Sequence, residues 1–432
     1  MSSPTNAQSL TFRQRVTESA GAFSELKYLR YWLGSLASVG AIQVAQLGMG
    51  WLIATDLGGS AKTLGYLGGA IAVPTIFVNL FGGVLADRID RRVIMMVISG
   101  ATAALMTLLA VLVVTEKVQI WHIVAIAAAQ GFFQGFDGPV RSSFFPLLIS
   151  RKHMMSAVAL NSVMWQFSRI VTPTVGGFAI KYLGTESVFF AGAIGWMTMF
   201  VVILSLAVEH TKPTTRRKVI HELNEGIGFI TSNKLFAVII PLTFANMFFG
   251  MQYLQLMPLF ALRHGVDSDG LGYLFMMLGI GAVSGTVLIG RRQRSRHIGK
   301  VMIAGTFLFS LFVAGFAFAP SYAAALVMMY FVGIANSVFL ISSMTALQLR
   351  VPAQLRGRVM GIYTITFSLI PLGGMLGGGV AEVLDERWAV LISAAVLSLI
   401  AIFVFITQRE VRNLSGVELE AAEEEAATGR TS

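Results

Sequence analysis

Three ionisable residues stand inside stretches that otherwise carry almost no charge. Asp137 and Arg141 lie in the apolar run 119–147, and Arg169 lies near the middle of the run 155–183. A charge within a lipid-spanning segment is costly, so it faces protein, water or a solute rather than hydrocarbon. A spacing of four residues puts Asp137 and Arg141 on one helix face. Such a pair does one of two jobs. It holds as a structural ion pair near the helix end, or it works as a gate whose carboxylate takes up a proton, with a pKa set by the neighbouring guanidinium. Arg169 has no carboxylate within two helical turns. It therefore faces a cavity or a partner from another helix, and the candidates are Asp137 and a negatively charged solute. The chemistry on offer is proton binding and anion contact. Bond-making sets are missing. The six histidines (His122, His153, His210, His221, His264, His297) are scattered without metal-ligand spacing. Cysteine is absent, which removes thiolate nucleophiles and cysteine-based metal sites. No phosphate-binding G-x-x-x-x-G-K-S/T loop is present, so ATP does not drive this chain directly. Neither an enzyme nor a cofactor is expected.

These charges need elements to carry them. The chain has 432 residues, 55% hydrophobic and 12% charged, against about 25% charged in soluble domains. About 20 apolar residues cross the hydrocarbon core as a helix, and inside lipid only helices satisfy their own backbone at this length. Twelve such segments can be read, at 31–55, 61–86, 92–114, 119–147, 155–183, 186–208, 235–262, 269–290, 299–319, 321–347, 357–383 and 387–408. The expected fold is an all-α integral membrane protein of twelve transmembrane helices in two six-helix repeats. The net charge of +10 fits that topology without a nucleic-acid partner. Of the 32 Lys and Arg, 25 fall in segments on one side. This is the bias that marks the cytoplasmic face, and it places both termini there, with the protein in the cell (inner) membrane.

The domain plan follows. Residues 1–30 form a polar cytoplasmic segment without a signal-peptide core, 31–208 the first six-helix bundle, 209–234 a cytoplasmic linker and 235–408 the second bundle. Residues 409–432 are an acidic tail that reads as disordered. The linker carries Arg216-Arg217-Lys218 and an amphipathic stretch, either a helix along the membrane surface or a flexible tether. The two bundles echo each other. Leu64-Gly65-Tyr66-Leu67 recurs as Leu271-Gly272-Tyr273-Leu274, and Gly176-Gly177 aligns with Gly378-Gly379 when Gly131 is set on Gly333. Such repeats imply a binding site between them at mid-membrane.

The run Gly83 to Arg92 packs five charges into its last six residues, between the second and third spans. It resembles the loop 2–3 signature G-x-x-x-D-R-x-G-R-R of the major facilitator superfamily. Gly83, Asp87, Arg88, Arg91 and Arg92 match, and Asp90 stands in place of the second glycine. The resemblance implies a latch in which Asp87 accepts hydrogen bonds from the start of span eleven, near Gly357, where the helix dipole is positive. The bland alternative is that the arginines only anchor topology. Thr172-Pro173-Thr174-Val175-Gly176-Gly177 looks like the G-P-x-x-G-G element of drug–proton antiporters in that superfamily, and span eleven repeats the theme with Pro371, Gly373, Gly374, Gly377, Gly378 and Gly379. Close packing of small residues explains the glycines equally well. One element departs from the family: Gln130-Gly131 fit the R-x-x-Q-G of span four, but Ala127 occupies the arginine position. Arg169, one span later, is the candidate replacement charge. Arg356-Gly357-Arg358-Val359-Met360-Gly361 and Phe136-Asp137-Gly138-Pro139-Val140-Arg141 resemble the branch containing the enterobactin exporter and related secretion-type permeases.

By position, Gln43, Gln46, Gln130, Gln134, Asn246, Gln252 and Asn336, with Phe133, Trp165, Tyr253, Tyr363 and Phe367, are the candidates to line a cavity. Amides with aromatics suit a large, partly apolar solute. The resemblance implies a monomeric permease that exports a small amphipathic organic compound, siderophore- or drug-like, by alternating access against proton entry. An importer of the same fold and a non-transporting membrane sensor are the alternatives. If Arg169 supplies the missing charge, Arg169→Ala abolishes transport in a vesicle assay and Arg169→Lys retains it; unchanged activity in the alanine variant discards the idea.

Overall fold

The structure, a computed structural model, describes residues 20–86, 89–206, 219–290, 297–352 and 355–415. Helix dominates, and no strand occurs among the described residues. Six helices come first: α1 (Leu26–Ala54), α2 (Ala61–Ala86), α3 (Arg91–Val114), α4 (Ile120–Phe144), α5 (Met154–Leu183) and α6 (Thr185–Ser205). A short helix, α7 (Val219–Ser232), precedes the second set. That set comprises α8 (Lys234–Ala245), α9 (Tyr253–Arg263), α10 (Ser268–Gly290), α11 (Ile298–Ala317), α12 (Tyr322–Arg350), α13 (Arg356–Ile365), α14 (Ile370–Leu384) and α15 (Glu386–Thr407). With α8–α9 and α13–α14 each forming one broken rod, the two sets hold six rods apiece. Ten rods are long and apolar enough to cross a membrane. The other two, α4 and α5, are 25 and 30 residues long. They are the helices that carry Asp137, Arg141 and Arg169, and their polarity is what sets them apart.

Several boundaries differ from the sequence reading for physical reasons. The first helix begins at Leu26 after a 3₁₀ turn, Ala20–Ser24, because this entry segment is tied down. The Ala22 N–H donates to Ser156 Oγ (3.2 Å) and the Tyr28 hydroxyl to the Ala157 carbonyl (3.0 Å). Span seven is interrupted by a π turn, Asn246–Gly250. Span eleven is interrupted by a 3₁₀ turn, Thr366–Leu369, just before Pro371. Proline lacks an N–H and its ring crowds the carbonyl four residues back, here Phe367, so the helix tightens at that point. The tail packs farther than expected. Val411 and Leu414 are buried, and the Gly299 N–H donates to the Leu414 carbonyl (3.2 Å). Residues 416–432 lie outside the described residues.

In the first set α1 packs on α5 and α6, α2 on α4, and α3 on α6; in the second, α10 packs on α12, and α11 on α12 and α15. The sets meet along two seams, α2 with α14 and α5 with α10. Glycines set both. A Cβ on Gly378 would lie 2.6 Å from the Gly65 Cα, and one on Gly177 would collide with the Ser268 carbonyl and sit 3.0 Å from the Gly272 Cα. The Leu-Gly-Tyr-Leu repeats are thus the partners of the glycine pairs: each bundle's repeat receives the other bundle's glycine. The equivalence corrects the alignment by one residue. Gly177 corresponds to Gly378 and Gly176 to Gly377. Gly176 meets Val44 of the first span and Gly377 meets Gln252 of the seventh, whereas Gly379 has nothing near it. Within each set Gly131 sits on the Ile71 carbonyl as Gly333 sits on the Leu278 carbonyl.

Glu25, just ahead of α1, accepts from the Ser150 N–H (3.0 Å) and hydroxyl (2.6 Å) and lies 3.0 Å from His153 Nδ1. The Ser150 bonds first, and His153 second, hold its carboxyl below the usual 4.5. A lowered carboxylate pKa adds stability that is complete above the unfolded value and fades as pH falls through the folded one. Hydrogen-exchange protection of residues 22–29, taken relative to the intrinsic rate at each pH, should therefore fall as pH drops below 4.5 in the native chain and be low at every pH in Glu25→Gln; equal protection in both proteins at neutral pH would refute the clamp.

Candidate functional site

Between the two sets lies a cavity of about 900 Å³, lined by α1, α2, α4 and α5 from the first set and by α9, α10, α12, α13 and α14 from the second, with the turns inside spans seven and eleven. Its lining runs from Gly50, Pro258 and Leu271 toward Ser142, Asn79 and Arg358 at the end of the molecule where α7 lies. At the opposite end the glycine seams close it. Each seam is crowned by a polar clasp. On α5–α10, Lys181 Nζ pairs with Asp269 Oδ2 at 2.7 Å; on α2–α14, the Lys62 main-chain N–H donates to Glu382 Oε2 at 3.1 Å. In both clasps the first set donates and the second supplies the carboxylate. Near the other end, Asn79 Nδ2 donates to Ser368 Oγ (3.2 Å), and Arg358 of α13 forms an ion pair with Glu225 of α7.

Arg141 is fully engaged. Its Nε donates to Asp137 Oδ2 at 2.6 Å, and its two terminal nitrogens donate to Ser35 Oγ at 3.0 Å and Ser38 Oγ at 2.9 Å. Its guanidinium carbon lies 5.8 Å from the Trp196 ring centroid. One arginine on α4 thus anchors α1, and Asp137 completes that anchor while still lining the cavity. Arg169 also lines the cavity but has no hydrogen bond or ion pair among the described residues. Asp137 is spoken for by Arg141, so it is not the partner that Arg169 lacks.

Of the other candidates, Gln43, Gln46, Gln134, Trp165, Tyr253, Asn336 and Phe367 line the cavity, as do Pro173 and Pro371. Five sit elsewhere. Gln130 donates to Met106 Sδ (3.3 Å), and Phe133 stacks edge-on against Phe132. Tyr363 is buried in a core formed by α8, α11 and α15. Asn246 is fully buried in the π turn with both side-chain polar atoms unpartnered. Gln252 donates to the Ala389 carbonyl (2.8 Å). A π turn adds a residue and rotates the helix beyond it, which turns Gln252 away and presents Gln255 to the cavity. Thr75, Gln166, Ser337 and Ser368 also line it and were not anticipated. Gln166, beside Trp165 and three residues before Arg169, was the most readable of them.

In the charged loop, Asp87 and Arg88 lie outside the described residues, as do the surroundings of Gly83 and Gly357. Asp90 explains its departure from glycine: it caps α3, its Oδ1 accepting from the Arg92 N–H at 2.8 Å. Arg91 donates to the Ser143 carbonyl (3.2 Å) at the end of α4, and Arg92 to the Ile203 (3.2 Å) and Leu204 (2.8 Å) carbonyls at the end of α6. Cations at helix C-termini are favoured by the dipole, so these two arginines bind the first set together.

The seam contacts separate two adjacent glycines. Gly378→Ala must part α2 from α14, an overpacking cost of about 1–3 kcal/mol. Gly379→Ala meets no atom and removes a helix-interior glycine, a gain of about 0.5–1 kcal/mol. Thermal unfolding of the purified variants should therefore move in opposite directions; a fall of equal size in both would remove the seam argument.

The sequence model of the transmembrane secretion effector family matches residues 19–426. The MFS-type transporter YfiS of Bacillus subtilis (strain 168) is 24% identical over 371 residues, covering 83% of this chain and 87% of YfiS. The enterobactin exporter EntS of Escherichia coli (strain K12) is 23% identical over 342 residues, covering 78% of this chain and 82% of EntS. The D-xylose–proton symporter superposes with a TM-score of 0.70 at 14% identity, over 91% of this chain and 100% of the symporter. A bacterial homolog of the human lysosomal transporter Spinster, inward-facing and occupied, gives 0.68 at 14% identity, over 91% of this chain and 99% of that one. These solved structures speak to the fold, which is that of the major facilitator transporters. With a family match spanning nearly its whole length and two six-helix sets around a shared cavity, the chain belongs to the transmembrane secretion effector family of the major facilitator superfamily.

Proposed function

We propose that the protein is a secondary transporter that exports a small amphipathic organic compound by alternating access, driven by proton entry. The observation that carries this reading is the cavity: about 900 Å³, built from both six-helix sets, closed at one end by the two glycine seams and extending to the other. A solute held there touches both sets, so rocking one set against the other exchanges which end is open. The end bearing α7 and the excess of basic residues is the cytoplasmic one in this scheme, by the positive-inside rule. The conformation is then open to the cytoplasm, where an exporter loads. Both termini are cytoplasmic, the protein sits in the inner membrane, and a single chain suffices because both halves of the cavity come from it.

Asp137 is the proton site in this scheme. It is the carboxylate on the cavity lining among the described residues. Protonating it releases one of the three bonds that fix Arg141 between α4 and α1, and so loosens that anchor. The latch assigned to Asp87 and Gly357 would hold the opposite, outward-open state. EntS exports enterobactin by its name, and the mixed amide and aromatic lining here suits a solute of comparable amphipathic character.

Inverted membrane vesicles with an imposed pH gradient test this. The native protein should accumulate an amphipathic dye when the lumen is acidic, Asp137→Asn should lose at least about tenfold of the gradient-driven rate while still binding the dye, and Arg141 should stay held by Ser35 and Ser38. Gradient-driven movement only in the opposite direction would mark an importer; no movement of any solute in the native protein would end the transporter reading for this chain.

A further inference from the structure

We propose that the exported compound carries an anionic group, a carboxylate or similar oxyanion, that binds between Arg169 and Tyr253; this deepens the transporter reading and rests on it. Arg169 of α5 in the first set and Tyr253 of α9 in the second both border the cavity, Tyr253 as a buried side chain behind its wall. A guanidinium offers five N–H donors in a planar fork. On Arg169 none of them meets an acceptor among the described residues.

The charge balance of the cavity sharpens the point. Asp137 is neutralised by Arg141, and Arg358 by Glu225. Among the described residues of the lining, the positive charge of Arg169 is left without compensation. A lone cation on the wall of a cavity within the membrane-spanning region attracts an anion more strongly than a neutral solute of the same shape. Tyr253 supplies an independent sign. Its side chain is 0% exposed, yet its hydroxyl has no partner. A buried hydroxyl in that state is a donor waiting for an acceptor. The Asn336 carbonyl oxygen on the same lining is likewise unpartnered.

The remaining lining describes the rest of the solute. Trp165, Phe275 and Phe367 give the cavity wall aromatic surface, and Leu278 and Ile170 add aliphatic surface. The fitting ligand has an oxyanion head and an apolar, aromatic-compatible body. Because the head touches both bundles, it links their motions.

The test uses the full-length protein in nanodiscs at neutral pH, titrated calorimetrically with 2-naphthoate and with 2-naphthamide, its uncharged counterpart of the same shape. The native protein should bind naphthoate at least about tenfold more tightly than naphthamide. Arg169→Lys should keep that preference, Tyr253→Phe should reduce it, and Arg169→Gln should bring it to about one while naphthamide affinity stays put. Absence of a carboxylate preference in the native protein, including failure of both compounds to bind, overturns the inference. So does a preference that survives Arg169→Gln, or an equal loss of both affinities in that variant. Failure of the transporter reading shows separately, as intact binding without movement in vesicles.

Discussion

An unpartnered guanidinium halfway along a membrane-length helix demands a cavity beside it. Hydrocarbon cannot solvate it, and no carboxylate among the described residues neutralises Arg169. From that constraint the rest of the architecture can be read backwards. The cavity exists because the two six-helix sets part along α1, α4, α9 and α12. They can part there only if they are joined elsewhere, and the joins are the α2–α14 and α5–α10 seams. Those seams hold because glycine removes the Cβ that would keep the backbones apart. Arg141 solves the same problem in the opposite way. It is buried, but Asp137, Ser35 and Ser38 occupy its donors, so it needs no cavity and serves as a fastening between α4 and α1.

The two sets follow one plan with one asymmetry. Glycine contacts match position for position across the repeat, from Gly131 on Ile71 and Gly333 on Leu278 to Gly177 on Gly272 and Gly378 on Gly65. The breaks do not match. Spans seven and eleven, both in the second set, are interrupted beside the cavity, while α1 and α5 in the first set run unbroken past it. Pro173 does not end α5, although it occupies the corresponding motif. Asp137 and Arg169 thus sit on unbroken helices of the first set, and the second holds the turns where backbone geometry is least regular.

How legible this was depended on how local the signal is. Twelve hydrophobic runs, their polarity and the loop signature are properties of contiguous residues, and they led directly to the fold and the family. Asp137, Arg141 and Arg169 stood out because each breaks an apolar run. What could not be read was set by neighbours far along the chain. Ser35 and Ser38 look unremarkable until Arg141 reaches them from α4. Gln252 reads as a lining residue on an uninterrupted helix, and only the π turn, which ends where Gly250 packs against Phe309 and Leu397, turns it away. The alignment of Gly176-Gly177 with Gly378-Gly379 missed by one residue because three successive glycines in span eleven leave the register open, and contact with Gly65 decides it.

The uncompensated charge of Arg169 on the cavity wall, as the described residues show it, also has an electrical consequence. The clasps Lys181–Asp269 and Asp137–Arg141 are each neutral as pairs, so reorienting them displaces no net charge. Arg169 is different. A full unit charge carried through the membrane field changes the energy by about 2.3 kcal/mol per 100 mV. Under the alternating access and orientation proposed above, exposing a vacant cavity to one side or the other moves some fraction of that charge, and an interior-negative voltage draws the vacant carrier toward the side bearing α7. Once a monovalent anion is seated the complex is electroneutral, and the voltage loses its grip on the loaded step.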